Sequence, residues 1–424
     1  MIWLFLISLF TLLFIGVPVA ISMLLSAAIM LLTLDMFDVQ LITENFVMGT
    51  NNFPLMAIPF FMLTGEIMKH GGISERIINF AMSMVGHIKG GLGYVAIISG
   101  LIFAGLSGSA VADTAALGAI LIPMMVAKKY DAARSTGLIC SAGIISVVIP
   151  PSIPMIIYGI TAGASITKLF MGGVVPGLLM TIGLWIVWKI LYRNEEKNIV
   201  EKQSAKQRLI AFKGAFLPLL LPVIIIVGLR GGIFTPTEAG VVASLYAAAI
   251  SILYKSLNYQ KVVEIFINTI KTTSMVMFVA AAAMISAFAI TVAQIPMELV
   301  EIIKGITNDK TILMIVIMVF LLLVGCVMDL IPAVLIFVPV LLPVLRAYQI
   351  DIAYFGIMMV INLSIGLITP PVGTVLYVGS GIAKLGIGKL SKGILPFLGL
   401  YFILLFILAL FPEIIITPMN WLSR

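Results

Sequence analysis

The chain alternates between long apolar runs and stretches in which Gly, Pro, Ser and single Asp residues interrupt the apolar pattern. The long runs predict membrane-spanning helices, because about 20 apolar residues cross the hydrocarbon core of a bilayer. They cover 2–33, 52–69, 169–192, 214–230, 236–254, 272–293 and 393–411. The interrupted stretches are 90–163 and 310–383, and a polar linker, 193–213, separates two halves. The pattern predicts an all-α integral membrane protein, with 2–33 as its first span.

Composition also indicates that lipid is the solvent of this chain. Of its 424 residues, 62% are hydrophobic and 10% are charged, whereas a soluble domain carries about 25% charged residues. The length allows roughly ten spans. The net charge of +7 does not indicate a nucleic acid partner, because the basic residues are spread over short loops.

Basic residues in these loops predict which side of the membrane each loop faces. We interpret 90–127 and 310–347 as re-entrant hairpins, and 135–163 and 353–383 as crossings that break in the middle. This topology places the linker 193–213 and the N-terminus in the cytoplasm and the C-terminus in the periplasm. It puts 19 Lys and Arg residues inside and 6 outside, which is the bias that the positive-inside rule requires.

The two interrupted stretches resemble each other. Each carries a Pro–Pro pair, Pro150–Pro151 or Pro370–Pro371, with a glycine nine residues after its first proline. Upstream, Asp113 and Asp329 each lie ten residues before another proline. The predicted topology opens the first hairpin to the cytoplasm and the second to the outside. We therefore interpret the stretches as an inverted repeat with a binding site near the middle of the membrane.

A Pro–Pro pair within a membrane span predicts a discontinuous helix. Proline removes an N–H donor and clashes with the preceding turn, so backbone carbonyls are left free. Free carbonyls and hydroxyls suit sodium, a hard cation, whereas the N-termini of half-helices attract carboxylates. The alternative is a kink that serves only close packing. Two matched breaks, each paired with a hairpin of small residues, argue against it.

The candidate site residues follow from these positions. The first sodium site is assigned to Ser107, Gly108, Ser109, Ser146 and Pro150. The second sodium site is assigned to Gly325, Cys326, Gly366 and Thr369. Contacts to the substrate are assigned to Ser152, Thr374, Asp113 and Asp329. For the two aspartates, helix capping and a direct ligand role are both open.

Two further motifs carry a family resemblance. Ala57–Glu66 reads AIPFFMLTGE, and Phe103–Thr114 reads FAGLSGSAVADT. With the two Pro–Pro breaks, they make the whole chain resemble the large membrane subunit of tripartite ATP-independent periplasmic (TRAP) transporters, and the region before residue 57 favours the sialic acid branch. The resemblance implies sodium-coupled uptake of an organic acid anion, such as sialic acid (N-acetylneuraminate) or a C4-dicarboxylate.

The resemblance also implies partners and a mechanism in the bacterial inner membrane. A soluble periplasmic substrate-binding protein would deliver the anion, and a small four-helix membrane subunit would be a separate chain, both beside membrane lipid. An elevator-type domain with both hairpins, 90–163 and 310–383, would move against a scaffold. Residues 1–89, with an interfacial arm, and 164–309 would form that scaffold, and 384–424 would form a C-terminal helix.

Two other classes of protein share parts of this sequence. A stand-alone sodium/carboxylate symporter would have a similar fold without partner chains. Gly105–Gly108 fits the Gly-x-Ser-Gly pattern of rhomboid-type intramembrane proteases, but such an enzyme needs a base facing its serine. Both histidines, His70 and His87, come earlier in the chain, and the residues around the two aspartates differ from those of presenilin-type proteases. We therefore expect no enzyme activity.

Overall fold

The computed structural model describes residues 1–105, 107–193 and 202–423, which form helices, turns and loops and no strand. The all-α prediction is therefore confirmed for this part of the chain. Leu106 of the first hairpin, 194–201 of the predicted linker and Arg424 lie outside the described residues.

Twenty α-helices follow one another along the described residues. Their bounds are α1 Ile2–Phe14, α2 Val19–Thr33, α3 Val39–Met48, α4 Ala57–His70, α5 Ile73–Val85, α6 Gly91–Ala104, α7 Ala110–Ala127, α8 Ala132–Gly143, α9 Ile153–Ala162, α10 Ile166–Leu191, α11 Ala205–Arg230, α12 Pro236–Leu253, α13 Tyr259–Val292, α14 Ile295–Ile306, α15 Lys310–Gly325, α16 Leu330–Ala347, α17 Ile352–Gly366, α18 Thr374–Ala383, α19 Ile387–Leu410 and α20 Glu413–Leu422. Among these residues, 7 helices are long and apolar enough to cross a membrane, or 8 if α3 and α4, bent by 56°, form one span.

The two halves repeat the same elements at one fixed offset along the chain. The number of residues that separates the two Pro–Pro pairs also separates α7 from α16, at both ends of each helix. Both Pro–Pro peptide bonds are cis. The broken crossings start at equivalent caps: Asp131 accepts the N–H of Arg134 at 2.7 Å. Asp351 accepts that of Tyr354 at 2.8 Å. The predicted repeat is therefore confirmed.

This offset corrects one detail of the sequence alignment. It pairs Ser109 with Asp329, and both occupy the N-cap position of a second hairpin arm, whereas Asp113 lies within α7. Pro123 likewise pairs with Pro343, and not with the proline four residues earlier. Pairing Asp113 with Asp329 is therefore wrong. Prolines four residues apart in α16 allow two registers, and local spacing cannot choose between them.

The helices pack into two bodies joined by two arms. The scaffold body comprises α1–α4 and α11–α13, and the hairpin body comprises α6–α10 and α15–α20. α10 packs on α6, α17, α19 and α20, so it belongs with the hairpins, whereas the sequence division at residue 164 placed it with the scaffold. The arms are α5, which contacts α11 and α6, and α14, which contacts α13 and α16. Each arm immediately precedes one hairpin.

Residues 2–33 form two helices rather than one span. α1 and α2 pack against each other on either side of Gly16, whose φ of +92° only glycine adopts readily. The Met1 ammonium lies 3.8 Å from the carboxylate of Glu298 in α14. Lys304 lies further along the same helix. The sequence topology put the N-terminus inside and Lys304 outside, so this contact argues for placing both on one side of the membrane.

Candidate ion and substrate sites

The tip of the first hairpin lies directly against the first helix break. Gly108 has a φ of +62°, and a Cβ atom built on it would lie 2.8 Å from the carbonyl oxygen of Pro151. Only glycine permits this approach, because any other side chain would displace the backbone of the break. Next to it, Ser109 caps α7 by accepting the N–H of Ala112 at 3.4 Å. Gly108, one of the tip residues predicted for the first sodium site, is thus in contact with the break.

Three polar side chains meet at this first contact. The Ser107 hydroxyl donates to Oδ1 of Asp113 at 2.5 Å, and the Ser146 hydroxyl lies near the same carboxyl group. Asp113 is only 2% exposed, and its Oδ2 has no hydrogen-bond partner among the described residues. A buried carboxylate without a partner is costly. A cation at this position would offset that cost.

Ser146 also shows why a hydroxyl here can face a cation. It donates its proton to the carbonyl oxygen of Gly143 at 2.7 Å, so its lone pairs remain available. The Thr114 hydroxyl, on the residue after Asp113, is fully buried without a partner among the described residues. It packs over Gly143, where a Cβ atom would collide with it. Sequence reasoning missed Thr114, although it follows Asp113 directly.

The second hairpin tip meets the second break through backbone rather than side chains. A Cβ atom on Gly325 would lie 3.2 Å from Cα of Gly366, and one on Gly366 would collide with the Gly325 backbone. The Cys326 thiol contacts the Thr369 hydroxyl, which donates to the carbonyl of Ile365 at 2.7 Å. The structure therefore brings the four predicted residues of the second site together. The second site has no counterpart of Asp113, because the equivalent position, 333, is alanine.

The two breaks satisfy equivalent carbonyl groups in different ways. In the first, the Ser152 hydroxyl donates to the carbonyl of Val147 at 2.5 Å and accepts the N–H of Met155 at 3.3 Å. In the second, the carbonyl of Leu367, the equivalent residue of the repeat, accepts the N–H groups of Val375 and Leu376 at 3.1 and 3.4 Å. Ser152 is fully buried as the cap of α9. Its hydroxyl is therefore engaged within the protein.

A small central cavity of about 70 Å³ lies between the two tips and the two breaks. Its lining includes Gly108–Val111 and Asp329–Ile331 from the tips, Val147, Ile153, Pro154 and Leu367 from the breaks, and Met62 from α4. Of the four residues predicted to contact the substrate, only Asp329 lines it. Sequence reasoning missed Met62, although it lies within the AIPFFMLTGE motif. The scaffold body thus contributes one wall of the cavity.

The structure places the two aspartates differently with respect to helix caps. Ser109 caps α7, and Asp113 lies inside that helix beyond its cap. Asp329 occupies the N-cap position of α16, where its carboxyl group lies near the N–H of Leu330 without the usual capping hydrogen bond to the second or third residue of the helix. It is exposed toward the cavity. Thr374 is exposed at the first turn of α18, which has no side-chain cap.

Two more cavities follow the boundary between the bodies. One of about 360 Å³ lies between α13 and α16, and its lining includes Asn52, Thr161 and Thr291. The other, about 20 Å³, lies where Glu66 and Lys69 of α4 face Ser107 and Asp113 of the first hairpin. The central cavity is therefore flanked on both sides by space between the bodies.

The contacts of Ser107 are not those of a serine protease nucleophile, which needs a base at its hydroxyl. Ser107 donates its proton to Asp113, and not to a histidine. His70 instead contacts Glu66 at 3.5 Å and Glu264 at 3.8 Å, at the end of α4.

The sequence is similar to a family of membrane transport proteins. Residues 6–414 match the family described as Tripartite ATP-independent periplasmic transporter, DctM component. The chain is 82% identical over 401 residues to a chain of Haemophilus influenzae named as a TRAP transporter large permease, covering 95% of this chain and 100% of that one. It is 46% identical over 412 residues to the 2,3-diketo-L-gulonate TRAP transporter large permease protein YiaN of Escherichia coli, covering 96% of each.

Sialic acid appears in the name of a more distant relative. The chain is 38% identical over 403 residues to the sialic acid TRAP transporter large permease protein SiaM of Vibrio cholerae, covering 95% and 94% of the two chains. These relatives are named as permeases and not as enzymes. The fold is similar to the crystal structure of the Alcanivorax borkumensis YdaH transporter, described as having an unusual topology, with a TM-score of 0.64, 15% identity and 90% of each chain covered.

Proposed function

Because this chain belongs to the DctM component family of tripartite ATP-independent periplasmic (TRAP) transporters, we propose that it is a large permease that couples inward sodium movement to uptake of an organic acid anion. The observation that carries the coupling is the first tip–break contact. There a buried carboxylate with a free oxygen, Asp113, meets the hydroxyl groups of Ser107 and Ser146. Sodium would be the cargo ion at this site and at the Gly325–Gly366 contact.

The proposed mechanism is an elevator in which the hairpin body slides along the scaffold body. The central cavity supports this proposal, because its walls come from both tips while only Met62 comes from the scaffold. The flanking cavities would provide access from either side. Each net positive charge that moves inward through 100 mV gains about 2.3 kcal/mol, and this gain would drive accumulation.

The proposed sidedness follows the positive-inside bias in the bacterial inner membrane. The linker after α10 is cytoplasmic and the C-terminus periplasmic. The N-terminus would be periplasmic as well, because Met1 contacts Glu298 of the arm α14, which the sequence topology places outside. No basic residue precedes Lys69, so this change leaves the counted bias unaltered.

The proposed partners are a small four-helix membrane subunit and a soluble periplasmic protein that delivers the anion. The relative named for diketogulonate is more similar than the one named for sialic acid. We therefore put 2,3-diketo-L-gulonate beside sialic acid and C4-dicarboxylates as candidate substrates. Asp329 would repel a substrate carboxylate in the cavity, so we assign it to hydroxyl groups of the substrate or to a cation.

Reconstituted transport tests this proposal. Proteoliposomes with the chain and its small subunit should accumulate the anion only when the binding protein and an inward sodium gradient are present. Uptake at full rate without sodium would contradict the coupling, and full uptake without the binding protein would favour the stand-alone symporter. The substrate itself is identified by which anion raises the melting temperature of the binding protein.

A further inference from the structure

A groove of about 310 Å³ between the arm α5 and the start of α11 lies outside the transport site. It is lined by Arg76, Asn79, Gln207, Ile210, Ala211 and Gly214. We propose that this groove binds the phosphate headgroup of an anionic phospholipid of the cytoplasmic leaflet. The assignment to that leaflet rests on the proposed sidedness. The groove itself does not depend on what the protein transports.

The guanidinium group of Arg76 is held in place for an anion. Its central carbon lies 3.8 Å above the ring of Tyr254, whose hydroxyl donates to the carbonyl of Gly214 at 2.9 Å. A Cβ atom on Gly214 would lie 3.5 Å from one Arg76 nitrogen. Stacking occupies the face of the guanidinium, while its N–H donors lie in the plane, in the fork that matches a phosphate.

Among the described residues, no salt bridge involves the basic side chains around the groove. No carboxylate lies within 4.0 Å of Arg76 in the part of the chain that the structure describes. Further basic residues of α11 lie near the groove but not in its lining: Arg208 and two exposed lysines, Lys206 and Lys213. An anion in the groove would therefore supply a counter-ion for Arg76.

The position of the groove points to a lipid rather than to a soluble anion. The apolar run of α11 begins at residue 214, so the groove lies at the level of the headgroups. Two apolar side chains of the same helix turns, Ile210 in the groove and Phe212 beside it, are 60% and 40% exposed, as expected at a lipid-facing surface. Anionic lipids give the cytoplasmic leaflet a negative surface, and basic pockets between helices bind their headgroups.

A lipid in this groove would bear on transport through the arm. α5 leads from the scaffold body into the first hairpin, and it packs mainly on α11 and also on α4 of the scaffold. A phosphate bridging Arg76 on α5 and the basic turns of α11 would strengthen that contact. The scaffold end of the arm would then stay fixed while the hairpin body moves.

Thermal stability in mixed micelles tests the proposal on the full chain. Phosphatidylglycerol should raise the melting temperature more than phosphatidylcholine, and Arg76→Gln should remove at least about half of the difference. Arg134→Gln is the matched control, because Arg134 is an exposed arginine of α8 on the same predicted side. Native mass spectrometry of the wild type should retain phosphatidylglycerol in preference to phosphatidylcholine, which tests the site even if the variant does not fold.

Four results would overturn the proposal. Equal stabilisation by the two lipids would remove the charge recognition. An equal effect of Arg134→Gln and Arg76→Gln would remove the site. Stabilisation by inorganic phosphate alone, or loss of the lipid effect when the small subunit is added, would assign the groove to a soluble anion or to that subunit. None of these results depends on sodium coupling, so they are separate from a failure of the transport proposal.

Discussion

Replacing Gly108 by alanine is the most direct test of the tip–break contact. The new methyl group would lie 2.8 Å from the carbonyl oxygen of Pro151, whereas ordinary contact starts at 3.4 Å. Tip and break must therefore separate by about 0.6 Å, the difference between these distances. Both partners are backbone, so no flexible side chain can absorb the shift. A displacement of this size takes the tip oxygens out of reach of an ion held by the break.

Gly163 provides a matched control for the strain of alanine itself. Its φ of +67° is close to the +62° of Gly108, but a Cβ atom there would meet nothing within 4 Å. An L-residue in this conformation costs roughly 1–2 kcal/mol. Both alanine variants should lose this amount of unfolding free energy. Only Gly108→Ala should suffer the additional clash.

The assay is uptake into proteoliposomes as a function of sodium concentration. We expect Gly108→Ala to raise the half-saturating sodium concentration at least about tenfold, which corresponds to about 1.4 kcal/mol. Gly163→Ala should leave it at the wild-type value. If the two variants have the same sodium dependence, the tip of the first hairpin is not part of an ion site.

Three further changes test other parts of the site. Asp113→Asn keeps the shape but removes the charge, so sodium titration should shift to about tenfold higher concentrations; an unchanged titration would exclude the carboxylate as a ligand. Ser152→Ala removes a helix cap and should cost about 1 kcal/mol of unfolding free energy, measured by thermal melting, with Ser152→Thr retaining most of it; equal losses in both would contradict the capping role. Thr369→Val keeps the side-chain volume and the packing against Cys326 but removes the hydroxyl, so the sodium affinity of uptake should fall. An unchanged sodium affinity would mean that only backbone groups bind the ion at the second site.

Much of the fold could be predicted from the sequence because its strongest signals are local. Pro150–Pro151 and Pro370–Pro371 break helices whatever surrounds them, and the structure places each next to a hairpin tip. The division of 2–33 into two helices was also visible as Gly16 followed by Pro18. Apolar content alone hides such a turn, because both helices are equally apolar.

Features that depend on tertiary packing could not be predicted in this way. The hydrophobic pattern of α10 gives its length but not its neighbours, so its place in the hairpin body emerged only from packing. Met62 reaches the central cavity from the scaffold body, and nothing in its local sequence indicates which cavity it faces. The aspartate register failed for a different reason: the Pro–Pro pairs already fix the offset, but two prolines four residues apart in α16 also allow the pairing of Asp113 with Asp329.

The two breaks are held by different hydrogen bonds, so the two halves of the protein should differ in their tolerance of substitution. The carbonyl of Val147 accepts a hydrogen bond from one hydroxyl, that of Ser152. A single substitution can therefore remove this hydrogen bond from the first break. The carbonyl of Leu367 is held by the amides of Val375 and Leu376, which every residue except proline supplies. Saturation mutagenesis should therefore find position 152 nearly restricted to serine and threonine, with 375 and 376 open to many apolar residues. A single side-chain change can therefore alter the first break, whereas the backbone bonds that hold the second break persist through most substitutions.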